Sequence, residues 1–306
     1  MATYILRRLF YFIPVMLAVS FLVFVIAEIT PGDPVAIMLG VRATPERVAE
    51  VRAALQLDDP FLVRYGRFIW NALQGDLGTS IRGQSPVLDE ILARLPSTFE
   101  LTLAAIIFTA LIGVPAGFIA AKNPNSLLDR SITFFSVVGL SMPSIWLAII
   151  LILIFGLQLK WVSVTQSEGL RDLILPAITL GLAPASSLAR LTRSAVLEVA
   201  GENYVRTARA KGLTSFWVDY RHVLPNALIP LVTYLGMLFA DLLGGAVFIE
   251  AVFARPGIGR FAVNAITARD FPQVQGLVLF LAFFYLTFNL IVDLLYGVID
   301  PRIRYK

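Results

Sequence analysis

Six apolar stretches, at about 9–29, 99–121, 132–157, 173–191, 227–249 and 274–298, each run long enough to cross a bilayer. A spanning helix needs roughly 20 mainly apolar residues at about 1.5 Å of rise each. In lipid only helices and closed barrels satisfy their own backbone hydrogen bonds, and runs of this length are helical. The chain therefore reads as an all-α integral membrane protein with about six transmembrane helices. The fourth stretch is the weakest, because Pro176, Gly181 and Pro184 interrupt it. Composition agrees: 58% of the 306 residues are hydrophobic and only 15% charged, against about 25% charged in soluble domains.

Arg7 and Arg8 precede the first stretch, which is longer than the core of a secretory signal and lacks a small-residue cleavage site, so it is read as an uncleaved helix. Orientation follows from Lys and Arg in short loops. With the N-terminus in the cytoplasm, the inner segments hold Arg7, Arg8, Lys122, Arg130, Arg190, Arg193, Arg206, Arg209, Lys211, Arg221, Arg302, Arg304 and Lys306. The two short outer loops hold Lys160, Arg171, Arg255, Arg260 and Arg269. A bias of thirteen to five places both termini inside. The loop at about 30–98 carries seven arginines, but loops this long are largely exempt from the rule.

That loop has helical signals of its own and is expected to be a small extracytoplasmic cap. Thr44-Pro45 has the form of an N-cap followed by a first-turn proline, with Val48, Val51 and Leu55 on one face. Pro60 to Leu73 repeats the pattern with Leu62, Tyr65, Ile69 and Leu73, and Gly75-Asp76-Leu77-Gly78 breaks it. Ser85-Pro86 starts a third short helix, with Asp89 and Glu90 in its first turns and Leu88, Ile91, Leu92 and Leu95 apolar. The whole chain, 1–306, is taken as one transmembrane domain, with the cap at 30–98 and a cytoplasmic loop at 193–226.

The cytoplasmic loop is the most informative segment. Tyr204-Val205-Arg206-Thr207-Ala208-Arg209-Ala210-Lys211-Gly212 reads as a short helix stopped by a glycine, with Lys211 suited to the negative end of the helix dipole. Thr214 is placed to cap a second short helix, which Leu224-Pro225 closes before the next span. The result is a basic knob between two membrane helices. Ala208 and Ala210 are expected to keep it slim enough to enter a groove. Arg206, Arg209 and Lys211 offer charge-assisted bonds to an acidic partner, or contacts to lipid headgroups.

These residues resemble the EAA loop of ABC-importer permeases, in which Glu-Ala-Ala is followed by a glycine and then by Ile-x-Leu-Pro. The matching positions are Arg206-Thr207-Ala208, Gly212 and His222-Val223-Leu224-Pro225, with both spacings kept. The departures are Arg-Thr for Glu-Ala and His222 for Ile. The form Tyr-x-Arg-Thr-Ala-Arg-Ala-Lys-Gly is similar to the dipeptide, oligopeptide and glutathione branch. So are Pro31-Gly32-Asp33-Pro34, Gly75-Asp76-Leu77-Gly78, Ala189-Arg190-Leu191-Thr192-Arg193, Phe253-Ala254-Arg255-Pro256-Gly257-Ile258-Gly259, Arg269-Asp270-Phe271-Pro272 and Asp300-Pro301-Arg302. The large outer loop resembles that of the first permease subunit of such systems.

The resemblance implies a bacterial inner-membrane, multi-pass subunit. It implies as partners a second related permease, two cytoplasmic ATPases and an extracytoplasmic solute-binding protein, besides membrane lipid; no nucleic acid is expected. The ATPase-coupling residues would be Tyr204, Arg206, Thr207, Ala208, Arg209, Ala210, Lys211, Gly212, Leu224 and Pro225. No G-x-x-x-x-G-K-[ST] phosphate loop surrounds any of the four lysines, so ATP is expected on partner subunits and no cofactor on this chain.

Ionisable residues within spans are costly, so each is a functional candidate. Asp241 lies well inside the fifth span, facing either the pore or neighbouring helices. Asp293 and Asn289 are expected to bond locally or to an adjacent helix, and Glu28 and Glu100 flank the outer surface. Gly113-x-x-x-Gly117 in the second span, and Gly236, Ala240 and Gly244 in the fifth, allow close helix packing; the latter set would fit a helix near a pore shared with a partner. Pro143 is expected to kink the third span. Arg190 and Arg193 are expected at the inner headgroups, and His222 in a packing or capping role.

Rival functions are less well served. A membrane-embedded enzyme needs paired carboxylates, a Ser-His pair or a metal cluster; there is no cysteine, and the single histidine, His222, lies at the cytoplasmic face. An autonomous secondary carrier needs its own coupling-ion site, for which one mid-span aspartate is thin support. Within the importer reading, nickel or another small solute remains an alternative to di- or oligopeptides and glutathione-like peptides.

Overall fold

The described residues of this computed structural model are 2–30, 35, 39, 43–54, 56–162 and 169–299, with the side chains of 2–9, 170 and 292–299 excepted. Pro31-Gly32-Asp33-Pro34, Leu55, Asp300-Pro301-Arg302, Arg304 and Lys306 lie outside them, as do the side chains of Arg7, Arg8 and Asp293. Among these residues the regular structure is helical, and the one β-type pairing is an isolated bridge from Thr79 to Pro86.

In chain order the helices are α1 (Ala2–Ile29), α2 (Pro45–Ala54), α3 (Phe61–Leu73), α4 (Val87–Lys122), α5 (Leu127–Ser141), α6 (Ser144–Leu151), α7 (Leu170–Ala200), α8 (Asn203–Ala210), α9 (Ser215–Val218), α10 (Leu224–Val252), α11 (Ile258–Ala268) and α12 (Phe271–Ile299). Two π-helical segments, Ile152–Gln158 and Asp219–Val223, extend α6 and α9. Among the described residues, five helices are long and apolar enough to span a membrane, six if the bent α5–α6 pair is one span. Two compact units are seen, 1–96 with 260–306, and 97–259.

In the first unit α1 packs along α12, with Phe12 edge-on to Phe283 at 5.6 Å between ring centroids. The cap helix α3 lies on α1 through aromatic rings: Phe24 meets Phe61, Tyr65 and Phe68 at 5.3–5.7 Å. The Tyr65 hydroxyl sits 2.9 Å from Ser20 Oγ. The expected apolar face of α3 is corrected in part: Tyr65 and Ile69 are half-buried as expected. Leu62 and Leu73 are exposed, and the packed side carries Phe61, Tyr65 and Phe68, because ring edges against ring faces bury more area than the aliphatic stripe offers. Thr44 caps α2 as expected, its Oγ1 accepting from Arg47 N at 3.3 Å.

Two motifs 190 residues apart meet in this unit. Asp270, buried at the start of α12, accepts from Ser80 Oγ at 2.7 Å, Ile81 N at 3.2 Å and Arg82 N at 3.3 Å. This fixes the turn after Gly75-Asp76-Leu77-Gly78 onto Arg269-Asp270-Phe271-Pro272. A Cβ on Gly276 would come within 2.8 Å of Val87 and 3.0 Å of Leu77, so the glycine permits the approach.

In the second unit α7 is the centre, packed against α5, α6 and α10. Leu101, Ala105, Ala148, Leu175, Leu180, Leu238, Leu242 and Ile249 form its core. Pro176 and Pro184 do not interrupt α7, which runs 31 residues unbroken. Each proline removes a single backbone donor, and neighbouring helices hold the remainder in place. Gly113 and Gly117 bring α4 against α7: a Cβ at Gly113 would stand 2.8 Å from the Ala185 carbonyl and 2.9 Å from Leu188 Cβ, and one at Gly117 closer still to the Ala189 carbonyl. Thr109 Oγ1 donates to the Gly181 carbonyl across the same seam at 3.1 Å.

Three further expectations are corrected. The third cap helix and the second span are one 36-residue helix, α4, with Pro96 inside it. Pro143 does more than kink the third span. Met142 is extended (φ −81°, ψ 120°), as the residue before a proline prefers, and α5 and the α6 segment meet at 101°. Arg193, expected at the inner headgroups with Arg190, has a protein partner instead of a free charge, the buried Asp129 at the start of α5, whereas Arg190 is exposed.

Candidate coupling surface

The loop expected at 193–226 begins later, at Gly201, since α7 continues through Ala200. Helix α8 follows and stops where expected. Lys211 is its C-cap, Gly212 takes the left-handed conformation at φ +84°, and Gly212 N donates to the Arg209 carbonyl at 3.0 Å. Thr214 precedes α9 in an extended conformation, without a side-chain cap bond. The chain then passes through the π-helical turn directly into α10. Leu224-Pro225 therefore opens the long helix instead of closing the short one, since proline is tolerated in a first turn where its missing N–H has no partner to lose.

The knob is anchored by its apolar face. Val205, Ala208, Val218 and Val223 are buried with Ala121 of α4, Ala195 and Val196 of α7 and Ala227 of α10. Ala208, expected on the contact surface, is thus part of the chain's own core at 5% exposure. Lys122, the last residue of α4, adds a polar tie: its Nζ lies 2.6 Å from Asp219 and 3.3 Å from Ser215 Oγ. The α8–α9 pair is thus packed on the ends of three long helices.

The opposite face is open. Tyr204, Arg206, Thr207, Arg209, Ala210, Lys211 and Gly212 are all exposed. Thr207 Oγ1 donates back to the Asn203 carbonyl at 2.9 Å. Partial desolvation, with the nearby Glu202 charge second, pushes the phenol of the exposed Tyr204 above its ordinary value. Two arginines on α8 and the lysine that caps it give the knob a positive outer surface. Pro225 is exposed at the knob's edge, and Leu224 and His222 are half-buried, the His222 carbonyl accepting from Asn226 Nδ2 at 2.8 Å.

Sequence reasoning passed over an aromatic group on the same knob. Phe216, Trp217 and Tyr220 are exposed and mutually in contact, Phe216 and Tyr220 stacked with centroids 6.2 Å apart. Three large rings within five residues of a basic helix were the available signal.

The four pore candidates do not form one cluster. On α10, Asp241 and Gly244 are exposed, and a Cβ on Gly244 would meet nothing within 4 Å. Gly236 is half-buried, whereas Ala240, expected on the same face, is buried. Pro143 sits at the α5–α6 break. Asn289 is half-buried on α12. Among the described residues no three His, Cys, Asp or Glu side chains converge as a metal site.

Comparison with known proteins matches these features across the chain. A dipeptide transport system permease protein, DppB, of Alkalihalophilus pseudofirmus is 40% identical over the full length of both chains. A glutathione transport system permease protein, GsiC, of Salmonella paratyphi A is 42% identical, again over both full lengths. Among solved structures, a chain of the MetNI methionine ABC transporter in inward-facing conformations overlays with a TM-score of 0.55 at 19% identity, covering 69% of this chain and 96% of that one. A chain of an amino acid ABC transporter with histidines overlays with a TM-score of 0.52 at 18% identity, covering 69% of this chain and 94% of the other. Residues 1–102 match the N-terminal region of the binding-protein-dependent transport system membrane component. With residues 113–305 matching its main part, the chain belongs to the binding-protein-dependent transport system inner membrane component family.

Proposed function

We propose that this permease subunit imports short peptides by alternating access, driven by two separate ATPases that grip the basic knob at 201–224. The chain is an inner-membrane permease subunit of an ABC importer and not an enzyme; it has no nucleotide-binding motif of its own. A second related permease, the ATPases and an extracytoplasmic binding protein complete the machine.

The observation that carries the coupling role is the division of α8 into two faces. Val205 and Ala208 are locked among the ends of α4, α7 and α10, while Arg206, Arg209 and Lys211 point away, free to pair. A force applied to the charged face reaches three spanning helices through a packed joint. ATP and the solute must favour different states of those helices, or no equilibrium moves. The peptide reading is supported by the dipeptide and glutathione permeases at 40–42% identity.

The test is Gly212→Val in the reconstituted complex. A β-branched residue at φ +84° strains the stop of α8 and misplaces Lys211. ATP hydrolysis is expected to persist while peptide uptake falls by at least about tenfold, a coupling loss of roughly 1.4 kcal/mol or more. Uptake at the wild-type rate per ATP would refute the coupling assignment, and a wild-type complex that co-purifies with a non-peptide solute would refute the substrate.

A further inference from the structure

The first unit holds a half-open cavity of about 660 Å³ among α1, α3, the turn at 76–84 and the start of α12. That volume lies within the roughly 300–1,000 Å³ of small-molecule sites. Its walls are held in place: Asp270 fixes Ser80 and Ile81 to α12, and Gly276 lets Leu77 seat against the same helix. Phe24, Phe68 and Pro272 give it an apolar floor, while Arg64, Glu28 and Asp76 bring both signs of charge to it.

Arg64 is the informative residue. Its side chain is 15% exposed and its guanidinium lies 6.0 Å over the Phe24 ring. Nη2 pairs with Glu28, and Nη1 donates to the Leu57 carbonyl at 3.2 Å. Nε is buried and donates to nothing. Of its five N–H donors, one on each terminal nitrogen is spent, so the second N–H on Nη1 and on Nη2 is left to receive an oxygen acceptor from the cavity, while the buried Nε lies out of a ligand's reach. A neutral sugar would make no use of the fixed cation, and a metal ion would be repelled by it. A zwitterion with an apolar body uses every wall: carboxylate at Arg64, ammonium at Glu28 or Asp76, side chain against Phe24 and Phe68.

We propose that this cavity binds a short peptide through its free C-terminal carboxylate, with Arg64 as the specificity-determining residue. The proposal rests on the peptide reading above and adds a site on the permease itself.

The experiment uses the intact complex in nanodiscs without its binding protein, probed by equilibrium binding of Ala-Phe and of its C-terminal amide. Ala-Phe is expected to bind saturably and the amide about tenfold more weakly, the difference a charge-assisted hydrogen bond makes. Arg64→Gln should lower Ala-Phe to the level of the amide and leave the amide unchanged. Because that variant also orphans Glu28, Asn71→Trp serves as a second one: it fills the cavity without touching the ion pair and should remove binding of both, with thermal unfolding of both variants checking that the cap remains folded. Equal affinity for acid and amide, or an Arg64→Gln complex with unchanged preference, overturns the site. If ATP-driven uptake of Ala-Phe with the binding protein present proceeds while no cavity binding is seen, this proposal alone fails. If the wild-type complex takes up no peptide, the functional reading fails with it.

Discussion

Arg193 and Asp129 form a two-pronged ion pair, Nε to Oδ1 at 2.7 Å and Nη2 to Oδ2 at 2.8 Å, that ties α7 to the first turn of α5. Asp129 is buried and also accepts from Asn125 N at 2.9 Å, so its carboxylate fixes the turn between α4 and α5 as well. Asp129→Leu is expected to lower the unfolding temperature of the unit, because Arg193 is left without its charge partner. Pairing Asp129→Leu with Arg193→Met should recover most of the loss, since no charge is then left without a partner. Thermal unfolding of the four proteins of the double-mutant cycle measures both effects.

The two alanines of α8 are expected to behave oppositely. Cysteine at Ala210 should react rapidly with a soluble maleimide and cross-link to an ATPase subunit, whereas cysteine at Ala208 should react slowly and cross-link to nothing outside the chain. Ala208→Leu overpacks the joint with Val218 and Ala195 and should cost about 1–3 kcal/mol of stability; Ala210→Leu should leave stability unchanged and reduce uptake. Labelling rates and unfolding temperatures separate the two faces.

Glycines in α4 and α10 should likewise divide. Gly117→Ala drives a methyl group into the Ala189 carbonyl and Thr192, and is expected to cost at least about 1–3 kcal/mol by overpacking. Gly244→Ala meets open space in this chain and should leave its own folding untouched. A fall in uptake or assembly in Gly244→Ala without loss of stability would place a partner permease against that face.

Asp241 stands exposed on α10 in a segment that otherwise reads as membrane-spanning. A carboxylate facing lipid is costly, so a protein or water-lined surface is expected there. In Asp241→Asn, uptake of cationic peptides should fall sharply, by about tenfold, and that of anionic ones remain. Equal losses for both would identify a structural hydrogen bond in place of a pore charge.

The number and rough placement of the spans were legible because each needs a long apolar run, and hydropathy registers that directly. The helix stop at Gly212 and the capped start at Thr44-Pro45 were legible for a related reason: each depends on a backbone conformation or donor that only a few residue types supply. The Gly113-x-x-x-Gly117 seam was visible as small residues four apart, though not that its partner is α7. By contrast, the α3 face was only half legible: Tyr65 and Ile69 are covered, but Phe61 and Phe68 match the helical period as well as Leu62 and Leu73 do, and only the rings of α1 decide which pair is covered.

The sequence by itself determined what the backbone demands in lipid: all-helical spans and a basic knob between two of them. Only the tertiary structure decided which side of the knob faces inward, that Pro143 breaks a helix while Pro176 and Pro184 do not, and that Asp270 reaches back to Ser80. The reason is physical. Hydrophobic length and turn chemistry are local properties, fixed by a residue and its near neighbours. Burial, ion pairing and the fate of a proline depend on which distant helix arrives to fill the space or the missing bond, and no local pattern specifies that.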